Sequence, residues 1–433
     1  MYTLIFDSLL RKFRPAPGTC FTLAIAVLFG AALLVPHTAR AHVANQSYVY
    51  FRVLQDSING TIQVTTDDLN EALDLDLARG ITKEELAPYL PRIRAYLDER
   101  FAVDSRYGNH PVSWTDQVKT FAIRDGHVIA QDFILGNMGE VPVKLDVRFN
   151  PIFDVDETHR TFALVQYNWL AGVHNNEAQI SLRFGPGDAG PKELDLSDTS
   201  VWKGFRAMTV SGMYHIYIGL DHILFLIALL LPAVVTRREP RAAVGAAGSV
   251  ALGGSSAWAG SIWQPVDRFK PALFYVLKIV TFFTIAHTIT LSLSALGLVE
   301  LPGYLVESLI ALSIALAAAH NLRPLFHNDG VIIAFVFGLF HGFGFASVLR
   351  EVGLQNEFMT LSLLGFNLGV ELAQVLIILL LFPVLYLLRR TAFYRYLLIG
   401  GSVLLIVIAL YWFIERFFDV DIPVVTLIRQ LLG

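Results

Sequence analysis

The sequence predicts an α-helical polytopic membrane protein of about six spans, preceded by a mostly β extracytoplasmic domain with a helical insertion. Three observations predict it. Of 433 residues, 54% are hydrophobic and 16% charged, and mean hydropathy is +0.53. A soluble globular protein carries about 25% charged residues, so much of this chain is solvated by lipid. The charge is also divided. Residues 42–211 hold 24 acids and 16 bases, net −8, whereas residues 212–433 hold 12 acids and 13 bases, net +1, clustered between apolar runs. Third, residues 1–41 read as a secretory signal: Arg11, Lys12 and Arg14, an apolar stretch over 21–35, then Ala39-Arg40-Ala41 as a small-x-small cleavage site. No basic face exists to neutralise phosphates, so a nucleic-acid partner is not expected. The only cysteine, Cys20, lies in the leader, which excludes a disulfide framework or a thiolate metal site.

The elements follow in order. Cleavage after Ala41 leaves His42 as the new N-terminus, whose α-amino group and imidazole can together chelate a metal. In the polar half, 42–200, Tyr48, Tyr50 and Arg52 alternate with Val49, Phe51 and Val53, which predicts a strand. Ile58-Asn59-Gly60-Thr61 reads as a turn before a second strand at 61–65. Thr82-Lys83-Glu84-Glu85 is a capping box opening a helix that runs to about residue 101, bent or restarted near Pro88 and Pro91. Strand-like runs at 121–123, 128–135, 141–149, 161–167 and 179–184 complete a sandwich. His110, His127, His159 and His174, and the acidic run Asp154-Val155-Asp156-Glu157, are read as ordinary domain residues; the run lacks the glycine and distal glutamate of a calcium loop.

The membrane half, 201–433, contains six apolar segments long enough to span: 212–235, 272–296, 303–320, 331–349, 359–388 and 396–418. With the domain outside, Arg237, Arg238, Arg241, Arg268, Lys270, Arg323, Arg389, Arg390 and Arg395 fall inside, against Arg350, Arg416 and Arg429 outside. That bias places the C-terminus on the extracytoplasmic side of a bacterial inner membrane. The stretch 242–262 is too weakly apolar for a further span.

Ionisable groups inside a membrane are costly and mark function. The first span carries His215, Asp221 and His222; a straight helix puts the two histidines, seven apart, on one face. Later spans carry His287, then Glu307 and His320, then His341 among Gly338, Gly342 and Gly344, then Asn367, Glu371 and Gln374 in an i, i+4, i+7 stripe. Counted inward from each outer boundary, Asp221, His222, His287, His341, Asn367 and Glu371 lie roughly 12–18 Å deep, near the bilayer midplane. His215 and Glu307 sit above that level, and His320 and His327 below it. The spacing predicts a vertical series of sites for a divalent ion. Imidazole and carboxylate without thiolate suit nickel, cobalt or zinc, and five methionines in all argue against a copper(I) path.

The motif His215-x3-Gly219-x-Asp221-His222 resembles the signature of the HupE/UreJ family of nickel permeases. Phe283-Thr284-Ile285-Ala286-His287-Thr288, Phe340-His341-Gly342-Phe343-Gly344 and Asn367-x3-Glu371-x2-Gln374 are similar to that family's later segments. The resemblance covers about 210–418 and implies a six-span protein linked to nickel supply for hydrogenase and urease. The large domain 42–200 resembles the longer branch of the family, which is less clearly tied to nickel.

The expected function is a secondary permease for Ni2+ or Co2+, with Zn2+ as a further cargo, requiring no cofactor and performing no catalysis. No P-loop is present. Two other classes stay open. One is a membrane-anchored extracytoplasmic binding or assembly protein for metalloenzyme maturation, with a partner on the 42–200 domain. The other is an intramembrane metal- or haem-dependent enzyme, although neither His-Glu-x-x-His nor di-iron histidine boxes occur.

Overall fold

The computed structural model describes residues 45–123, 126–174, 176–188, 190–237, 263–323, 325, 330–344 and 358–420. The expected leader, His42, the 242–262 stretch, His327, Arg350 and Arg429 lie outside them.

The N-terminal part is rich in sheet. Its strands are β1 (Gln46–Val53), β2 (Ile58–Thr65), β3 (Phe101–Ser105), β4 (Gly108–Asn109), β5 (Val112–Ile123), β6 (Gly126–Leu135), β7 (Lys144–Phe149), β8 (Arg160–Asn168), β9 (Leu182–Phe184) and β10 (Lys192–Asp195). They form a six-stranded sheet ordered β5-β6-β2-β1-β8-β9 and a four-stranded sheet ordered β10-β7-β3-β4. The alternation in β1 is real, and both faces are covered. Val49, Phe51 and Val53 enter the main core, while Tyr48 and Tyr50 pack with Leu164 on the other side. Phe51 and Phe133 from the first sheet meet Phe101 and Phe149 from the second, with Phe101–Phe133 and Phe101–Phe149 centroids 5.1 and 5.7 Å apart, edge to face. Burying each of these rings contributes about 1.5–3 kcal/mol.

One expectation changes here. Ile58-Asn59-Gly60-Thr61 begins β2, and the turn falls earlier, where the Leu54 amide donates to the Ser57 carbonyl. Gly60 is a packing glycine: a Cβ there would collide with the Tyr50 carbonyl and the Phe133 ring. A helix, α1 (Thr66–Leu73), follows β2 directly, capped by Thr65, whose side chain accepts from the Asp68 amide. The capping box at Thr82 forms as expected and opens α2 (Lys83–Leu86). A 3-10 turn over Ala87–Tyr89 restarts the chain as α3 (Leu90–Arg100), each restart carrying a proline in its first turn.

Between α1 and β8, Asp68 and His159 are buried with Oδ1 and Nδ1 3.8 Å apart, and the Ser47 hydroxyl lies 2.9 Å from His159 Nε2. Burial pushes the Asp68 carboxyl up to about 6 and the His159 imidazole down to about 4. The acidic run is structural: Asp154 pairs with Arg100 at 2.8 Å, and Asp156 accepts from the Thr158 amide at 2.7 Å.

The C-terminal part is helical: α4 (Val201–Ile218), α5 (Leu220–Leu230), α6 (Phe269–Ala295), α7 (Gly303–Leu322), α8 (Gly330–Phe343), α9 (Met359–Leu388) and α10 (Ala392–Phe418). Short strands β11 (Val235–Arg237) and β12 (Trp263–Pro265) pair between α5 and α6. Among the described residues, four helices, α6, α7, α9 and α10, are long and apolar enough to cross a membrane. The first expected span is not one straight rod from 212. It is α4 and α5, bent by 73° at Gly219, which raises the number of spans to five if the pair counts as one. The fourth expected segment is the shorter α8 among the described residues. Leu376, Leu379, Leu380 and Val384 on α9, and Val403, Leu404 and Val407 on α10, are exposed, as a lipid-facing surface requires.

Three helix pairs build this part: α4 with α9, α6 with α8, and α7 with α10. Small residues let two of them touch at backbone distance. In the first, Gly369 faces the Thr209 carbonyl and Gly212 the Phe366 carbonyl. In the second, Gly338 faces the Phe283 carbonyl and Gly342 the His287 carbonyl. A methyl group at any of the four would overlap its neighbour.

Candidate metal centre

Gly219 creates the centre. On a straight helix, residues 215 and 222 are separated by about 10.5 Å of rise. The bend instead folds the last turn of α4 onto the first turn of α5, and the His215 and His222 ring centroids lie 4.7 Å apart. A Cβ at Gly219 would stand 2.8 Å from the His215 carbonyl oxygen and 2.9 Å from His222 Nδ1, so the junction closes only around glycine.

His287 reaches the same place from α6, with centroids 6.3 Å from His215 and 6.0 Å from His222. Donor atoms of His215, His222 and His287 all lie within 4.8 Å of one another. His341 on α8 adds a fourth imidazole, 5.3 Å from His222. Phe225 and Phe283 pack against His341 at 5.1 and 5.0 Å, and Phe366 against His215 at 5.4 Å. Aromatic rings thus line the group on several sides.

Hydrogen bonds fix which nitrogen is offered. His222 Nδ1–H donates to Asp221 Oδ1 at 3.0 Å, and His341 Nδ1–H donates to the Phe337 carbonyl at 2.9 Å. His287 Nδ1–H donates to Asn367 Oδ1 at 3.3 Å. The Asn367 amide is committed to the Leu363 carbonyl at 2.7 Å, which orients its oxygen toward the ring. Carboxylate and carbonyl oxygens only accept, so each ring carries its proton on Nδ1 and keeps a lone pair on Nε2. Those three Nε2 atoms are buried and have no hydrogen-bond partner among the described residues. This is the tautomer that ligates a metal, held by outer partners that orient such ligands.

The sequence-expected residues thus separate into groups. His215, His222, His287 and His341 come together. Asp221 and Asn367 hold rings through Nδ1. Glu371 accepts from Thr281 Oγ1 at 2.6 Å, six residues before His287 on α6, and Gln374 accepts from Thr284 at 2.9 Å. Glu307 pairs with Arg416 of α10 at 3.6 Å. His320 Nδ1 accepts from the Leu325 amide beyond the end of α7. These bonds of Glu371, Glu307 and His320 run to residues other than the four histidines. The Phe337 carbonyl and the aromatic shell carry no sequence signal of their own, since any helical residue four before a histidine offers a carbonyl.

The fold and centre define a multi-pass helical membrane protein with a buried polyhistidine cluster and a sheet-rich N-terminal domain. A family model described as HupE / UreJ protein matches residues 192–416. The chain belongs to the HupE/UreJ family, and the family suggests a nickel/cobalt permease-like role. No curated protein and no solved structure matches it.

Proposed function

We propose that this protein is a secondary permease for a divalent transition metal ion, Ni2+ or Co2+, in a bacterial inner membrane, with the sheet-rich domain on the extracytoplasmic side. The observation that carries the reading is the gathering of His215, His222 and His287 donor atoms within 4.8 Å of one another, with Nδ1 of His222 and of His287 already committed elsewhere. Neutral imidazoles in a site without thiolate favour borderline ions over Mg2+, Ca2+ or copper(I). Buried between helices, the centre takes an ion stripped of most of its water, and the lone pairs on Nε2 replace that hydration.

His215, His222 and His287 are the proposed ligands and His341 the fourth donor, with Asp221 and Asn367 orienting them. Glu371 and His320 belong to the onward path, and Glu307 to the rim on the domain's side. The membership of the family supports a link to nickel supply for hydrogenase or urease. The test is uptake of radiolabelled nickel, cobalt and zinc into proteoliposomes by wild type, His222→Ala and His287→Ala. Saturable uptake of one ion, lost in both variants, is expected. A well-reconstituted wild type that moves none of the three overturns the proposal.

A further inference from the structure

Three of the four donors of the centre are divided between two tightly joined helix pairs, and the fourth, His222, lies on α5 directly after α4. His215 sits on α4, whose partner α9 meets it through Gly212, Gly365 and Gly369 against backbone carbonyls. His287 and His341 sit on α6 and α8, joined the same way through Gly338 and Gly342. Contacts at this distance leave no room for one member of a pair to slide over the other.

The seam between the pairs differs in kind. Where α6 meets α9, the bonds are side chain to side chain: His287 to Asn367, Thr284 to Gln374 and Thr281 to Glu371. Such contacts exchange between bonded and solvated states far more readily than glycine-packed backbones separate.

The sheet-rich domain is attached to one side of that seam. Trp169, in the turn after β8, lies against Gly204 of α4, where a Cβ would overlap the indole. Its ring stacks on Phe358, with centroids 4.3 Å apart, and its Nε1–H donates to Ser362 Oγ of α9 at 2.8 Å. The Ser200 amide, at the cap of α4, donates to the Leu170 carbonyl in the same turn. One residue of the domain thus holds the ends of both helices of the first pair. Below it, Met208, Leu363 and Phe366 of that pair form one buried apolar cluster with Leu291 of α6. Along each helix these residues lie between the domain and the histidines. A hydrated ion does not cross such a layer unless it parts.

We infer that the centre opens toward the domain by separation of the α4–α9 pair from the α6–α8 pair at Leu291, with the domain riding on α4–α9 through Trp169 as the positioning residue. An ion bound by His215 on one side and His287 on the other pins the two pairs together. The inference rests on the permease reading and says which surfaces move.

The test is thiol accessibility in the full-length protein, with Cys20→Ser as background and a membrane-impermeant maleimide added from the domain side. Leu291→Cys reports the seam. Ser362→Cys, nearly isosteric and covered by the Trp169 indole, reports whether the domain stays attached. Saturating Ni2+ is expected to slow labelling of Leu291→Cys by at least about fivefold, because labelling follows the population of the open form. Ser362→Cys is expected to stay protected with and without Ni2+.

Equal Ni2+ sensitivity at both positions overturns the inference, since the domain would then lift away from α9. Insensitivity at Leu291→Cys, in protein shown by titration to bind Ni2+, overturns it as well. If Leu291→Cys does not fold, Ala295→Cys, one turn further along α6 and packed on the same cluster, carries the same expectation. A wild type that binds no Ni2+ in that titration fails the permease reading itself, before any cysteine is read.

Discussion

Asn367 on α9 holds His287 on α6 by accepting its Nδ1–H at 3.3 Å, while its own amide is tied to the Leu363 carbonyl at 2.7 Å. One side chain therefore sets both the tautomer and the orientation of a ring on another helix. Asn367→Ala removes that acceptor and leaves the ring free to turn. Ni2+ affinity of the purified protein is expected to fall about 10–100-fold, the usual cost of losing an orienting partner. Isothermal titration reads it directly, and an unchanged affinity would mean that Asn367 only packs.

Gly219→Ala tests the bend. The added methyl meets the His215 carbonyl at 2.8 Å and His222 Nδ1 at 2.9 Å, so His215 and His222 must move apart. Ni2+ affinity is expected to drop at least about tenfold in a protein that still folds, since one misplaced methyl costs about 1–3 kcal/mol. Circular dichroism together with titration separates loss of the centre from loss of the fold.

Two glycine substitutions should act in opposite directions. Gly369→Ala forces a methyl into the Thr209 carbonyl and is expected to destabilise the helical part by about 1–3 kcal/mol. Gly400→Ala, in α10, meets nothing within 4 Å and is expected to be neutral or to stabilise by up to about 1 kcal/mol. Thermal unfolding in detergent compares the two with wild type.

The Asp68–His159 pair predicts a masked pH dependence. His159 falls from 6.5 to about 4 on folding, so the unfolded chain binds the extra proton and stability is lost as pH falls from 6.5 toward 4. Asp68 rises from 3.8 to about 6, so the folded chain binds the extra proton and stability is gained as pH falls from 6 toward 3.8. The two slopes oppose each other across most of this window. Asp68→Asn removes one of them, and the domain's unfolding transition is expected to lose about 2–3 kcal/mol between pH 6.5 and pH 4.5, where wild type changes little. Denaturant titrations of both proteins at the two pH values check this.

The fold was legible wherever one physical signal dominated. The presence of α6, α7, α9 and α10 follows from apolar length, with ends displaced by up to four residues, and the start of α2 from the Thr82 capping box. The β1 alternation assigned Phe51 and Tyr50 to opposite faces correctly. Asn59-Gly60 misled because glycine serves both turns and close packing, and only the Phe133 ring on a distant strand shows which applies. In the centre, His215, Asp221, His222, His287, His341 and Asn367 were readable as rare polar residues in apolar helices. The 73° bend at Gly219 was not, since glycine inside an apolar helix is common and nothing local distinguishes a kink from a packing contact. Glu307 and His320 share the same rarity, yet the structure spends them on Arg416 and the Leu325 amide. Rarity locates costly residues and does not say which of them meet.

The central claim is that one ion is held by imidazole Nε2 atoms from separate helices. X-ray absorption at the nickel edge, on Ni2+-loaded wild type and on His287→Ala, tests it most directly. The account predicts a scattering pattern from about three to four imidazoles in wild type, with one fewer in the variant. An oxygen-only shell, identical in both proteins, would contradict it.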